Sequence, residues 1–297
     1  MKWQFDRACR QGMLAGLLTA LCLAAGAAIF LHAERDQKEI EARAAAEAFA
    51  SRITQRTYET VSPVYMLASM VKLNRGEIPE FDQVASDLLQ EFPLARALEL
   101  APAGVVRQVY PLRGNEAVLG HDLLKDRGRN REAHLAVFRR QMMVAGPFEL
   151  IQGGLGAVAR YPVFLMGDQG KASFWGFAIV LFHVKELLTS AGSMEIERKG
   201  YAYQICRVMP DADGGECKVF AQSSAAELCA PLGVTVDLPN NTWRLSVAPL
   251  AGWIDQGHWL AAIAIVVLGG LAAGYARWQA CRQAADDAGC DESTVAE

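Results

Sequence analysis

The chain has 297 residues, 52% of them hydrophobic and 21% charged, with a net charge of −4 at pH 7. A net-negative chain does not fit a dedicated nucleic-acid binder, and the apolar excess is more than an ordinary soluble domain of this size carries. That excess is concentrated in two uncharged runs, so the chain is read outward from them.

Residues 1–11 form a short basic leader with Lys2, Arg7 and Arg10. The first run follows at 12–31, GMLAGLLTALCLAAGAAIFL, which at about 1.5 Å per residue can cross a hydrocarbon layer of roughly 30 Å. A cleaved signal peptide would share the basic start, but the run exceeds a usual signal core and no A-x-A site precedes Glu34. Bulky Leu21 before Cys22 excludes a lipoprotein site. The second run, 259–275 (WLAAIAIVVLGGLAAGY), is flanked by Trp259, Tyr275 and Trp278, aromatics suited to a membrane interface. Arg277 and Arg282 follow it, so the positive-inside tendency places 1–11 and 276–297 in the cytoplasm and 32–258 outside.

The segment 32–75 is rich in Ala, Glu and Arg, with Ile40, Ala44, Ala48, Ile53 and Val61 near helical spacing. It predicts one long helix, bent near Ser62-Pro63 and stopping before Asn74-Arg75-Gly76. Both a solvated stalk and a homodimer seam fit that pattern. A second helix is expected at 79–92, with Phe81, Val84, Leu88 and Leu89 on one face. ALELAPAGVVRQVYPL then reads as two strands joined at Pro102-Ala103-Gly104, and DRGRNREAHLAVFRRQMM as a helix after the basic loop Lys125–Arg129. FELIQ and AVARYPVFLM form strands around Gly153-Gly154, followed by the apolar strand 176–182 and a helix VKELLTSAG ending at Gly192. YAYQICRV, KVFAQS, GVTVDL and TWRLSVAP are four further strands. The class is α+β, with a sheet lobe over 76–190 and a membrane-proximal, β-rich lobe over 193–255, either separate or merged into one elongated domain.

Cys9, Cys22, Cys281 and Cys290 fall in or inside the membrane, leaving Cys206, Cys217 and Cys229 in the outer, oxidising compartment. Cys206 and Cys217 flank the turn-forming VMPDADGGE and are expected to pair, the rival being a bond from Cys229 to either. No CxxC or His-rich partner suggests a metal.

Catalytic constellations were tested in turn. Gly153, Gly154 and Gly156 join two strands, with neither the lysine and hydroxyl of a P-loop nor a helix to open, so they read as a turn. His121, Asp122 and His134 read as solvated or structural, and Ser223-Ser224 lacks a nucleophile-elbow setting. The expectation is a protein that is no enzyme and takes no cofactor. The tail 276–297 is far shorter than the ~50 residues of an independent output domain.

The order LELAPAGVVRQVYPLRGNEAVLGHDLL, a helix, GPFELIQGGLGAVARYPVF and FWGFAIVLF resembles the CHASE domain, an extracytoplasmic sensory module of receptor kinases and nucleotide cyclases. The later YAYQICRV and WRLSVAPLAGW resemble the region that follows it in bacterial receptors making cyclic dinucleotides. The resemblance implies a PAS-like antiparallel sheet sensor in the bacterial periplasm, anchored in the inner membrane, with a long N-terminal helix that packs as a dimer. It further implies a small-molecule pocket lined by Tyr110, Arg113, Val144, Phe148, Leu150 and Arg160. Arg113 and Arg160 stand where cytokinin-binding plant relatives carry aspartate and threonine, which moves the expected ligand from an adenine towards an anion clamped by guanidinium. Glu99, Glu116 or Glu149 could instead neutralise these arginines internally. The resulting expectation is a membrane sensor that binds a small molecule and signals through its two spans to a separate effector. The alternative is a periplasmic scaffold or regulatory subunit that binds a protein.

Overall fold

The computed structural model describes residues 2–126, 130–151, 153–167, 170–208, 217–225 and 227–294, with side chains described from 10 to 284. Two compact units result, one from 1–41 with 251–297 and one from 42–250.

In the first unit the apolar parts of α1 (Lys2–Val61) and α7 (Gln256–Thr294) pack through small residues. A Cβ on Gly16 would stand 2.8 Å from the Gly270 carbonyl oxygen, one on Gly12 3.0 Å from that of Gly274, and one on Gly270 2.9 Å from the Ala20 Cβ. GMLAG on one helix and GLAAG on the other therefore supply the four-residue spacing of small residues that lets two apolar helices approach closely. Both helices are long and apolar enough to cross a membrane. Beyond the apolar stretch Glu34 lies 3.1 Å from His258 Nδ1 and 3.1 Å from Lys38 Nζ. Its carboxyl is held below the ordinary carboxylate value, first by Lys38 and then by His258 and the Asp255 N–H.

In the second unit α1 ends where Ser62 Oγ donates to the Tyr58 carbonyl at 2.8 Å, and α2 (Pro63–Leu73) starts on the proline that breaks the ladder. Gly76, at φ 112, then closes α2 by donating to the Val71 carbonyl at 2.8 Å. Of the row read as a helix face, Ile53 and Val61 are buried in the core, whereas Ile40, Ala44 and Ala48 are exposed. The next helix, α3 (Phe81–Glu91), turns Phe81 inward.

Strands β1 (Ala97–Pro102), β2 (Gln108–Tyr110), β3 (Met143–Glu149), β4 (Leu155–Met166) and β5 (Ala172–His183) form an antiparallel sheet in the order β2-β1-β5-β4-β3. Between β2 and β3 lies α4 (Arg131–Arg139). It is shorter than the helix read from sequence because Arg140 takes a left-handed φ of 53°, after which Met143 already pairs with Arg160. After β5, α5 (Val184–Ser190) ends and a further helix, α6 (Ser193–Arg198), follows Gly192 at φ 98. The helix expected to end at Gly192 is α5, and α6 is a further helix beyond it. Strands β6 (Tyr201–Val208), β7 (Cys217–Gln222), β8 (Leu232–Leu238) and β9 (Asn241–Pro249) form a second antiparallel sheet in the order β7-β6-β9-β8.

One core runs through both sheets. Phe49 and Ile53 of α1 and Leu67 of α2 pack with Leu98, Val180 and Phe182 of the first sheet and with Ile205, Trp243 and Leu245 of the second. Fully burying each such side chain contributes about 1.5–3 kcal/mol. A separate cluster, including Phe177, Ile179, Val106, Leu123 and Ala136, covers the opposite face of the first sheet only.

Cys206 and Cys217 are bonded across the β6–β7 hairpin, Cα to Cα 5.3 Å. The turn expected between them, 209–216, lies outside the described residues, as do 127–129 of the basic loop. Cys229 is exposed.

Candidate functional site

Side chains alternate across a strand, so the pairing register of the first sheet decides which residues share a face. One row runs Tyr110, Leu98, Val180, Ala159, Val144. It faces α1 and α2, for Leu98, Val180, Ala159 and Val144 belong to the large core and Tyr110 packs against it. The adjacent row runs Val109, Glu99, Ile179, Arg160, Met143 and faces the other way. Of the six residues expected to line one pocket, Tyr110 and Val144 are therefore on the helix-covered face. Arg160 is on the opposite face, in the cluster that holds Leu150 and against which Phe148 packs. Arg113 belongs to neither, because it is exposed in the turn after β2. The sheet brings together Arg160, Phe148 and Leu150, and adds Glu99, which sequence reasoning held only as a possible counter-charge.

Arg160 and Glu99 are 2% and 3% exposed. A guanidinium or carboxylate so placed must be compensated, since the bare charge would lose its hydration. Register puts the two on either side of Ile179, about 9.6 Å apart at Cα from two strand spacings, a gap that glutamate and arginine side chains can span together. The other carboxylates weighed for this role, Glu116 and Glu149, are exposed, and Glu116 accepts the Gly114 N–H at 2.9 Å.

The segment 146–156 shapes the edge of this face. Gly146, at φ 107, lies where the β3–β4 register shifts, and a Cβ there would come within 3.0 Å of the Gly156 carbonyl. A Cβ on Gly156 would in turn stand 2.4 Å from the Leu150 side chain, so the missing side chain is the space Leu150 fills. Gly153 and Gly154 take φ 95 and 78 in the turn itself. The glycines thus serve backbone geometry.

The face is covered by α4, through Ala133 and Ala136, and by the segment 104–124, through Val106, Val118 and Leu123. That cover is stitched by local polar contacts. Val106 N–H donates to the His121 carbonyl at 3.0 Å and Leu123 N–H to the Gly104 carbonyl at 2.9 Å. His121 Nε2 lies 3.3 Å from Asp126, His134 Nε2 donates to the Leu124 carbonyl at 3.0 Å, and Asp122 accepts the Leu124 N–H at 3.1 Å. Lys125, above all, holds the Asp122 carboxyl below its ordinary value. These three residues pin a loop. Among the described residues no three metal-ligating side chains cluster.

Cavities lie elsewhere in this unit, none of those among the described residues lined by any of the six. A cleft of about 1160 Å³ runs between α5, α6 and β6–β7, past Lys185, Glu197 and Tyr203. Burial first, and Glu197 second, push the Tyr203 hydroxyl above its ordinary value of 10.0. A second, of about 540 Å³, lies between α4 and the β8–β9 turn. At that junction Asn240 Nδ2 donates to the Met142 carbonyl at 2.6 Å and Asn241 Nδ2 to the Val144 carbonyl at 2.9 Å. Arg207 of β6 pairs with Glu132 of α4. The signal for these ties, an Asn-Asn turn and an isolated arginine in an apolar strand, was present in the sequence but named no partner.

The sequence matches the CHASE domain over residues 30–212. The chain belongs to the CHASE domain family. As such it is an extracytoplasmic sensor by family, and no curated protein matches it. Among solved structures, the CHASE chain is similar to an extracellular ligand-binding receptor from Desulfohalobium retbaense, at TM-score 0.54 and 15% identity, over 70% of this chain and 40% of that one. It spans less than half of that receptor's length, and the likeness is one of fold. The extracellular domain of rpHK1S-Z16, described as a histidine kinase, matches at TM-score 0.47 and 13% identity over 71% of this chain and 94% of that one. The sensory domain of the Campylobacter jejuni chemoreceptor Tlp3 matches at TM-score 0.42 and 10% identity over 78% and 97%.

Proposed function

We propose that this protein is an inner-membrane sensor whose CHASE domain stands in the periplasm between two membrane spans, 12–31 and 259–275, and responds to a small molecule. The observation that carries the reading is the family match itself, bracketed by two helices each long and apolar enough to cross a membrane. The ligand site is the α4-covered face of the first sheet, where Arg160 and Glu99 are buried beside Phe148 and Leu150. Because Glu99 shares the row with Arg160, the site is charge-balanced without ligand. A small molecule bearing a carboxylate fits it by exchanging its oxygens for those of Glu99 on the guanidinium. Binding would bias the cover formed by α4 and 104–124, and through it the helices leading to the spans.

A homodimer along α1 and α2 fits the same scheme. Tyr58, Tyr65, Met66 and Leu73 are large apolar side chains between 44% and 81% exposed along these helices, a stripe suited to a second copy. Impermeant maleimide labelling of intact cells tests the placement, in a background with Cys9, Cys22, Cys229, Cys281 and Cys290 changed to serine, which leaves only the bonded Cys206 and Cys217. Phe138→Cys, at an 86% exposed position of α4, should label before lysis and Arg282→Cys only after it. The reverse pattern, or labelling of both in intact cells, would refute the topology.

A further inference from the structure

The 540 Å³ cavity between α4 and the β8–β9 turn lies within the 42–250 unit and joins its two sheets. Arg131 and Arg139 of α4 and Arg207 of β6 line it, with Glu132 and Asp237 as the acidic residues. The lining thus carries guanidinium groups from two elements, with Glu132 already taken by Arg207. Arg207 reaches Glu132 through one terminal nitrogen, while its Nε is buried with no hydrogen-bond partner among the described residues. Its direct cross-strand neighbour is Trp243, which is fully buried and whose Nε1 also lacks a partner. Buried N–H donors are rarely left unmet, because they give up water and gain nothing in exchange. The unmet Nε of Arg207, on a side chain that lines the cavity, calls for an acceptor with spare lone pairs.

We propose that this inter-sheet cavity binds a small oxyanion, a carboxylate or phosphate group, that accepts from Arg207 Nε and lies within the field of Arg139. The cavity adjoins the Arg160 face through Met143, but the anion it holds sits on Arg207 and requires no ligand on that face. Its place gives it a consequence: Asn240 and Asn241 hold the edge strand β3 beside it, through Met142 and Val144. An anion seated on Arg207 braces the same junction from the α4 side.

The test uses the full chain in nanodiscs, titrated with inorganic phosphate or with succinate against potassium chloride of matched ionic strength. Wild type should show a saturable rise in melting midpoint with at least one of the two anions, and slower amide exchange at 142–144 and 240–242. Response to phosphate alone or succinate alone identifies the oxyanion class. Arg207→Lys keeps the charge opposite Glu132 but has no Nε, and should weaken binding about tenfold or more, the loss of one charge-assisted hydrogen bond. Arg139→Ala changes an exposed residue of the last turn of α4, leaves the fold intact, and should weaken binding a few-fold. No saturable response beyond chloride with either anion, or equal affinity in wild type and Arg139→Ala, would overturn the proposal.

Discussion

Replacing Arg160 by methionine is the perturbation that most exposes the logic of the first sheet. The side chain is 2% exposed and shares its row with Glu99, 3% exposed, across Ile179. Arg160→Met leaves a carboxylate in an apolar layer made of Phe177, Ile179 and Leu181, and breaking such a buried pair from one side costs about 3–5 kcal/mol. Against a total stability of about 5–15 kcal/mol, that is a large fraction. Glu99→Met should cost a similar amount, by stranding the guanidinium. The double replacement removes both charges and inserts apolar side chains of comparable length, so it should lie within about 1 kcal/mol of wild type or above it. Urea unfolding of the two single variants, the double variant and wild type gives the coupling energy, expected at about 5 kcal/mol or more in favour of the pair. Additive single costs, with the double variant the least stable of the four, would show that the two charges do not compensate each other.

Further outcomes follow from particular contacts. A Cβ on Gly176 would stand 2.2 Å from the Ala101 carbonyl oxygen at φ 152, so Gly176→Ala should push β1 from β5 and lower stability by about 2–4 kcal/mol in a urea melt. Gly16→Leu should part α1 from α7, lengthening the distance between spin labels at the exposed positions Met13 and Leu271, whereas an unchanged distance would mean the glycine seam does not hold them. Because burial raises the Tyr203 hydroxyl above 10.0, the folded state keeps that proton longer than the unfolded chain does. The stability it contributes is full below pH 10 and is lost as pH rises through the raised value. Tyr203→Phe should flatten that alkaline fall, as followed by thermal melts from pH 8 to 11; Tyr65, shifted the same way by burial, keeps part of it.

Much of the architecture was legible in the sequence. The break at Ser62-Pro63, the stop near Gly76 and the turn at Gly153-Gly154 each rest on one residue whose backbone limits are local, and all three are where the chain turns. The face on which each site residue lies was not legible. Strand β5 is buried along both sides from Gly176 to Phe182, and β4 is buried over most of its length, so neither shows the polar alternation that marks an outward face. Parity then depends on register, which bulges at Ala145/Phe148 and Val163/Phe164 reset. The family resemblance grouped Tyr110 and Val144 with Arg160, and nothing local in these strands could show that the two face α1 and α2 instead. The second helix after Gly192 was missed because SMEIER is too short for a helical period to show. The spacing of Gly12 with Gly16 and of Gly270 with Gly274 could be read directly, but only the facing of the two helices shows that these glycines meet.

The central claim is that the α4-covered face, with Arg160 in it, receives a small molecule. Thermal melts of the full chain in nanodiscs, against a panel of carboxylates, nucleobases and short peptides, test it most directly when run on wild type and on the Glu99→Met/Arg160→Met double variant. The account predicts that at least one small carboxylate raises the wild-type midpoint saturably and leaves the double variant unmoved. If no small molecule stabilises the wild type more than the double variant, the account is contradicted.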